Sequence, residues 1–312
     1  MTEKRNLASL VIILSIIGVC IFILGGYAFL KTIPSGNNGN THLFIDSMNR
    51  KVYVPENPQR IVSMAPSITE IIYTLGADNK LVGVTNNCNY PSEAQNKPKI
   101  GGYYSPNSEI ILSLSPDLII SSRWDVEDVT QLENYGLPIV IILPDTINDI
   151  IESFGIIGNL INYRNESIEL MNDLNNNLSS IETKVSTLNY SQRIDCYFEI
   201  SQSPMVAGGD SYIDDMITKA GAINLFSNIN QEWATVSHEI IIDADPDVIF
   251  VTEHSYPNYE LNIYDRPGYN LINACINNRV YLVFDDIYLR TGPRIIMALE
   301  NMTRYLYPFL FL

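Results

Sequence analysis

The chain repeats itself on either side of one long helix, and this arrangement constrains the fold more than any other feature. Ser108-Glu109-Ile110-Ile111 and Pro116-Asp117-Leu118-Ile119-Ile120 return as His238-Glu239-Ile240-Ile241 and Pro246-Asp247-Val248-Ile249-Phe250, at a constant offset of 130 residues. Further out, Pro138 to Leu143 answers Arg279 to Phe284. Each unit reads as a short helix, a Pro-Asp turn, a buried strand, a helix or loop, and a second buried strand. Between the copies, from Arg164 to Leu188, the residues Ile168, Met171, Leu174, Leu178, Ile181, Val185 and Leu188 recur at steps of three and four. That spacing draws one apolar stripe down a helix. No Gly or Pro interrupts it between Gly158 and Pro204. At about 1.5 Å per residue it spans roughly 35 Å.

The expected fold is therefore α/β: two similar lobes with mostly parallel sheets, joined by one long rigid helix, with a ligand cleft between the lobes. The expected divisions are an N-terminal segment at 1–31, a flexible linker at 32–42, a lobe at 43–162, the interlobe helix at 163–189 and a second lobe at 190–312. Within the lobes, Ser67-Ile68-Thr69-Glu70 reads as a capping box opening a helix, which Gly76 closes. Met205 to Ser211 reads as a Gly-rich loop. Asp285-Asp286 reads as part of a strand, its carboxylates on opposite faces.

Leu7 to Leu30 is an uncharged apolar run, long enough to cross a bilayer. Lys4 and Arg5 precede it, which keeps the N-terminus in the cytoplasm and the body of the chain outside. The reading is a membrane anchor, with a cleaved signal peptide as the alternative. Val19 stands before Cys20, where a lipid-attachment signal wants a small residue, so Cys20 reads as buried in the membrane. Cys196 and Cys275 either pair or stay as buried thiols; no Cys-x-x-Cys occurs.

Acidic residues outnumber basic ones, 35 to 19. Nucleic acid is excluded as a partner, because its binding rests on cationic contacts to phosphates. No phosphate-cradling glycine loop, no nucleophile elbow and no helically spaced pair of histidines is present, so neither an enzyme nor a dedicated metal cage is expected. The loops next to strand ends collect aromatics instead: Tyr103, Tyr104, Trp124, Trp233 and Tyr288. Ser67, Asn87, Asp286 and Arg290 add polar groups at the rim. Flat side chains with a few polar groups suit a bulky amphipathic ligand.

Phe44-Ile45-Asp46-Ser47, Val52 to Ser63, Pro66-Ser67-Ile68-Thr69-Glu70, Leu75-Gly76, Val82-Gly83-Val84, Tyr90-Pro91, Asn107-Ser108-Glu109, Ser115 to Ile119 and Gly292-Pro293-Arg294-Ile295 resemble the substrate-binding proteins of cobalamin and ferric-siderophore ABC importers. The resemblance runs from His42 to Leu312. It implies an extracytoplasmic binding protein at the cell membrane. Its expected partners are a permease dimer with ATPase subunits, a small metal-chelate ligand and the membrane; it is expected to work as a monomer. Within the family the chain resembles the vitamin B12 binders, which implies a corrinoid ligand and no resident cofactor, with a ferric siderophore or haem as alternatives. Tyr103, Trp233, Asp286 and Arg290 match their pocket positions. Asn87 departs, standing where they carry a tyrosine. Tyr103 or Tyr104 would offer haem an axial ligand. An adhesion or scaffold protein that kept the fold and lost the ligand is the other reading.

Glu109 and Glu239 lie in the first turns of two short helices, where the helix dipole favours an acid by about 0.3–1 kcal/mol. Two copies of one lobe also set them symmetrically on the two crowns. The resemblance implies that both dock onto basic residues of the permease.

Overall fold

The computed structural model describes residues 40–123, 127–253 and 263–312. The expected anchor at 1–31, residues 32–39 of the linker and Trp124 lie outside the described residues. Among the described residues no helix is long and apolar enough to cross a membrane.

The linker ends earlier than expected. Thr41 already belongs to strand β1 (Thr41–Ile45), which pairs antiparallel with β2 (Lys51–Pro55). Asp46 ties the hairpin down. Its carboxylate accepts the amides of Met48 and Arg50, both at 3.0 Å, and that of Ile141 at 3.2 Å.

The first sheet is parallel throughout, in the order β4-β3-β5-β6: β3 (Ile61–Ser63), β4 (Leu81–Val84), β5 (Leu118–Ser121) and β6 (Ile139–Ile141). These strands are short apolar runs buried on both faces, as a parallel sheet between helices requires. Helix α1 (Pro66–Thr74) follows β3, α2 (Ser108–Ser113) precedes β5, and α3 (Glu127–Asn134) and α4 (Ile147–Leu160) flank β6. The expected capping box does not form. Pro66 starts α1 two residues early, Ala65 becomes the N-cap without a side-chain bond, and Ser67 falls inside the helix.

The long helix is α5 (Arg164–Val185). Leu174, Leu178, Ile181 and Val185 are buried along it, each worth about 1.5–3 kcal/mol. Ile168 is exposed, against expectation. Ser167 faces inward in its place, because α4 crosses there at close range. A Cβ on Gly158 would stand 2.3 Å from that of Ser167, so only glycine admits the contact.

Beyond α5 come β7 (Asp195–Ser201), β8 (Met205–Ala207), α6 (Tyr212–Lys219), β9 (Ile223–Asn224), β10 (Trp233–Thr235), α7 (His238–Ala244), β11 (Val248–Thr252), α8 (Asn273–Ile276), β12 (Val280–Val283), α9 (Asp285–Tyr288) and α10 (Ile295–Leu306). The second sheet runs β10-β8-β7-β11-β12, with β9 beside β7. Strands β9, β7, β11 and β12 are parallel; β8 and β10 are antiparallel additions. Met205–Ala207 is thus a strand rather than the start of a loop. Asp285-Asp286 opens a helix rather than lying on a strand.

The repeat holds at the level of elements, with α2-β5 answered by α7-β11. One apolar core runs through both sheets and the stripe of α5, taking in Ile68, Leu118 and Phe154 on one side and Phe198, Phe250 and Leu299 on the other. Cys88, Cys196 and Cys275 are free and buried, so the pairing of Cys196 with Cys275 is excluded here.

Candidate functional site: a cleft between two sheets

Ligands of parallel sheets collect beyond the carboxyl ends of the strands. Here those ends carry α1 after β3, the loop after β4, and α9 after β12. The loop after β4 is polar and presents Asn87. The Asn87 side-chain oxygen accepts the Tyr103 amide at 3.0 Å, which fixes the backbone of the predicted aromatic wall. The Tyr103 hydroxyl shares a hydrogen bond of 3.0 Å with Ser122. Burial pushes the Tyr103 phenol above its ordinary range, against the Ser122 bond and the Arg123 charge, which act to lower it. Tyr104 is 75% exposed and meets Tyr103 edge-on at 4.9 Å. The Arg123 guanidinium lies 4.2 Å from the centre of the Tyr104 ring, a cation–π distance.

From the other sheet comes Trp233, half-buried at the start of β10. Tyr212 stands edge-on to it at 6.1 Å. Tyr212 is itself buried in the core against which Tyr103 and Trp233 both pack, and burial raises its hydroxyl far above its ordinary range. Aromatic residues from the two halves of the chain therefore converge. Tyr212 was missed in the sequence, where it reads only as the first residue of a helix.

Tyr288 is not part of this wall. It is 3% exposed, its ring lies 6.2 Å from Phe198, and its carbonyl accepts the Tyr212 hydroxyl at 3.1 Å. The turn of α9 rotates it inward, which a strand reading of 285–290 does not anticipate. The same turn brings Asp286 and Arg290 together as an ion pair one helical step apart. Asn89 donates to Asp286 at 2.8 Å, and Arg290 donates to Asn89 at 2.8 Å. Glu70, Asn89 and Arg294 complete this polar edge, and none of them stands out by local pattern. Ser67 is buried, with the Gly292 backbone close by.

Glu109 and Glu239 are exposed in the first turns of α2 and α7. A hydrogen bond with Ser237 holds the Glu239 carboxyl below its usual range. The isoleucine after each glutamate is also exposed, Ile110 by 40% and Ile240 by 50%.

One parallel and one mixed sheet, a long helix packed on the core they share, and aromatic and paired polar groups brought together from the two halves of the chain describe a two-lobed α/β protein of the binding-protein class. The sequence profile of the periplasmic binding protein family matches residues 61–286, and the chain belongs to that family. It is a family of binding proteins, not of enzymes. The chain is 29% identical over 270 residues to the uncharacterized ABC transporter substrate-binding lipoprotein YvrC of Bacillus subtilis, covering 84% of each protein. The periplasmic vitamin B12-binding protein BtuF of Vibrio cholerae superposes with a TM-score of 0.72 at 25% identity, over 81% of this chain and 98% of that one. The periplasmic heme-binding protein RhuT of Roseiflexus superposes with a TM-score of 0.71 at 27% identity, over 81% and 99%.

Proposed function

We propose that the chain is the extracytoplasmic substrate-binding component of an ABC importer and that its ligand is a corrinoid. The observation that carries this is that Tyr103 and Trp233, from the two halves of the chain, both pack part-buried on the core that holds Tyr212, with a polar edge whose charges are paired. A large, uncharged macrocycle fits such a surface through stacking and a few hydrogen bonds. Haem and ferric siderophores are the alternatives, since relatives of this fold include a heme binder.

The ligand passes to a permease dimer, onto which Glu109 and Glu239 dock. Segment 1–31 holds the protein at the outer face of the membrane; the lipoprotein name of the Bacillus relative supports attachment there. Mass spectrometry of the membrane-extracted protein distinguishes an intact helical anchor from a chain cut and acylated at Cys20.

The test of the ligand is equilibrium titration of the full-length protein in detergent with cyanocobalamin, haemin and a ferric hydroxamate. Cyanocobalamin is expected to bind tightest, by about tenfold or more, which is 1.4 kcal/mol. Binding of none of the three overturns the importer reading and leaves a scaffold that has lost its ligand.

A further inference from the structure

Glu70 is a buried carboxylate whose partners all come from the far end of the chain. It is 1% exposed. Arg294 donates to it twice, Nε to Oε2 at 2.9 Å and Nη2 to Oε1 at 2.7 Å, and Arg290 Nη1 donates to Oε1 at 2.8 Å. Arg290 continues to Asn89 and to the Asp286 carboxylate, and Arg294 lies 4.2 Å from the centre of the Tyr90 ring. Gly292 lies against the same carboxylate: a Cβ there would stand 3.4 Å from Glu70 Oε2, in ordinary van der Waals contact. Two guanidinium groups thus face two carboxylates, and the formal charges cancel.

We propose that Glu70 is a positioning residue that determines the specificity of the cleft without touching the ligand. It holds Arg290 and Arg294 across the boundary between the two sheets and cancels their charge, so the cleft favours neutral chelates over anionic ones. The inference rests on reading this cleft as the ligand site. A guanidinium whose buried carboxylate is removed keeps its charge and its fork of donors, and it takes up the next carboxylate offered. In the intact protein that partner is Glu70. Without it, the carboxylate of an anionic ligand takes its place. Discrimination is then a difference of affinities set by one buried charge.

The test uses the full-length protein with two probes, neutral cyanocobalamin and haemin with its two carboxylates. Glu70→Gln keeps the volume and removes the charge; it is expected to shift the cyanocobalamin-to-haemin affinity ratio toward haemin by about tenfold or more. Arg294→Met leaves the opposite imbalance and is expected to shift the ratio toward cyanocobalamin. Opposite shifts cannot come from loss of folding. Shifts in the same direction, or none, overturn the specificity role. A second arm needs no ligand. Nitroxides at Asn134→Cys and Asn277→Cys, in a Cys20→Ser background, report the distance between the two halves. Glu70→Gln is expected to broaden a distribution that is narrow in the parent, and an unchanged distribution overturns the positioning role. If the parent binds neither probe, the ligand reading fails, and the distance arm alone decides whether Glu70 positions the arginines.

Discussion

Ser115 and Asp245 stand 130 residues apart and share one backbone conformation, with φ of 47° and 46°. Each follows the helix of its repeat and aims the chain into the Pro-Asp turn. Neither is glycine; Ser115 carries a left-handed cost of about 1–2 kcal/mol, while an aspartate such as Asp245 tolerates the conformation better through its short polar side chain. Ser115→Gly should therefore raise stability by about 0.5–1 kcal/mol, net of the entropy that glycine adds to the unfolded chain. Asp245→Gly should not, because its carboxylate accepts the Asn273 amide at 2.7 Å and side chain at 3.0 Å. Losing those bonds costs about 1 kcal/mol or more. Urea unfolding midpoints of the two variants check the contrast.

The aromatic wall makes a sharper demand on binding. Tyr103→Ala and Trp233→Ala should each weaken corrinoid affinity by on the order of 2 kcal/mol, about thirtyfold. Tyr288→Ala should instead lower the melting temperature, since its ring fills the core beside Phe198. Calorimetric titration beside thermal melts separates the two effects. Unchanged affinity in both wall variants would place the cleft elsewhere.

The crowns of the two repeats carry the docking prediction. Glu109→Lys with Glu239→Lys should abolish stimulation of the transporter ATPase, while ligand affinity and melting temperature stay near the parent. Rim charges fix register and steer encounter more than they add affinity. Ile110 and Ile240 flank these glutamates and are exposed alike, so Ile110→Ser with Ile240→Ser should weaken docking as well. If the charge reversal lowers melting by several degrees and transport survives, the glutamates serve only their helices.

Acidity acts through Asp195. Its carboxyl is held above the usual range, first by burial and then by the Asp247 carboxylate. A folded-state pKa above the unfolded value means that the fold prefers the protonated form. That preference is fully present below the ordinary aspartate value of 3.8 and is lost as pH rises through the raised folded value. Asp195→Asn should leave the melting temperature near pH 3 almost unchanged and raise it at pH 7. Melts across that range decide the matter; a variant no more stable than the parent at pH 7 would show that the carboxylate is not strained.

Much of this protein is local in character, and the sequence by itself determined that part. A short apolar run after the Pro-Asp turn placed the strand at Leu118, and periodicity placed the stripe of α5, because a strand buried on both faces and a helix buried on one each leave their own pattern. The repeat in Glu109 and Glu239, and the Pro-Asp turns at Pro116 and Pro246, came from spacing alone. Tertiary structure decided what distance hides. Glu70 and Arg294 are 224 residues apart, and no local pattern marks a carboxylate whose partner is that remote. Read locally, Glu70 was a helix cap; folded, it is an ion-paired residue at the core of the cleft edge. Tyr288 left the expected wall for the same reason, since the single helical turn of α9 carries its ring into the core beside Phe198 and the buried Tyr212. Sequence pattern records which face of an element is buried, but only the packing of one element on another decides which groups share a site.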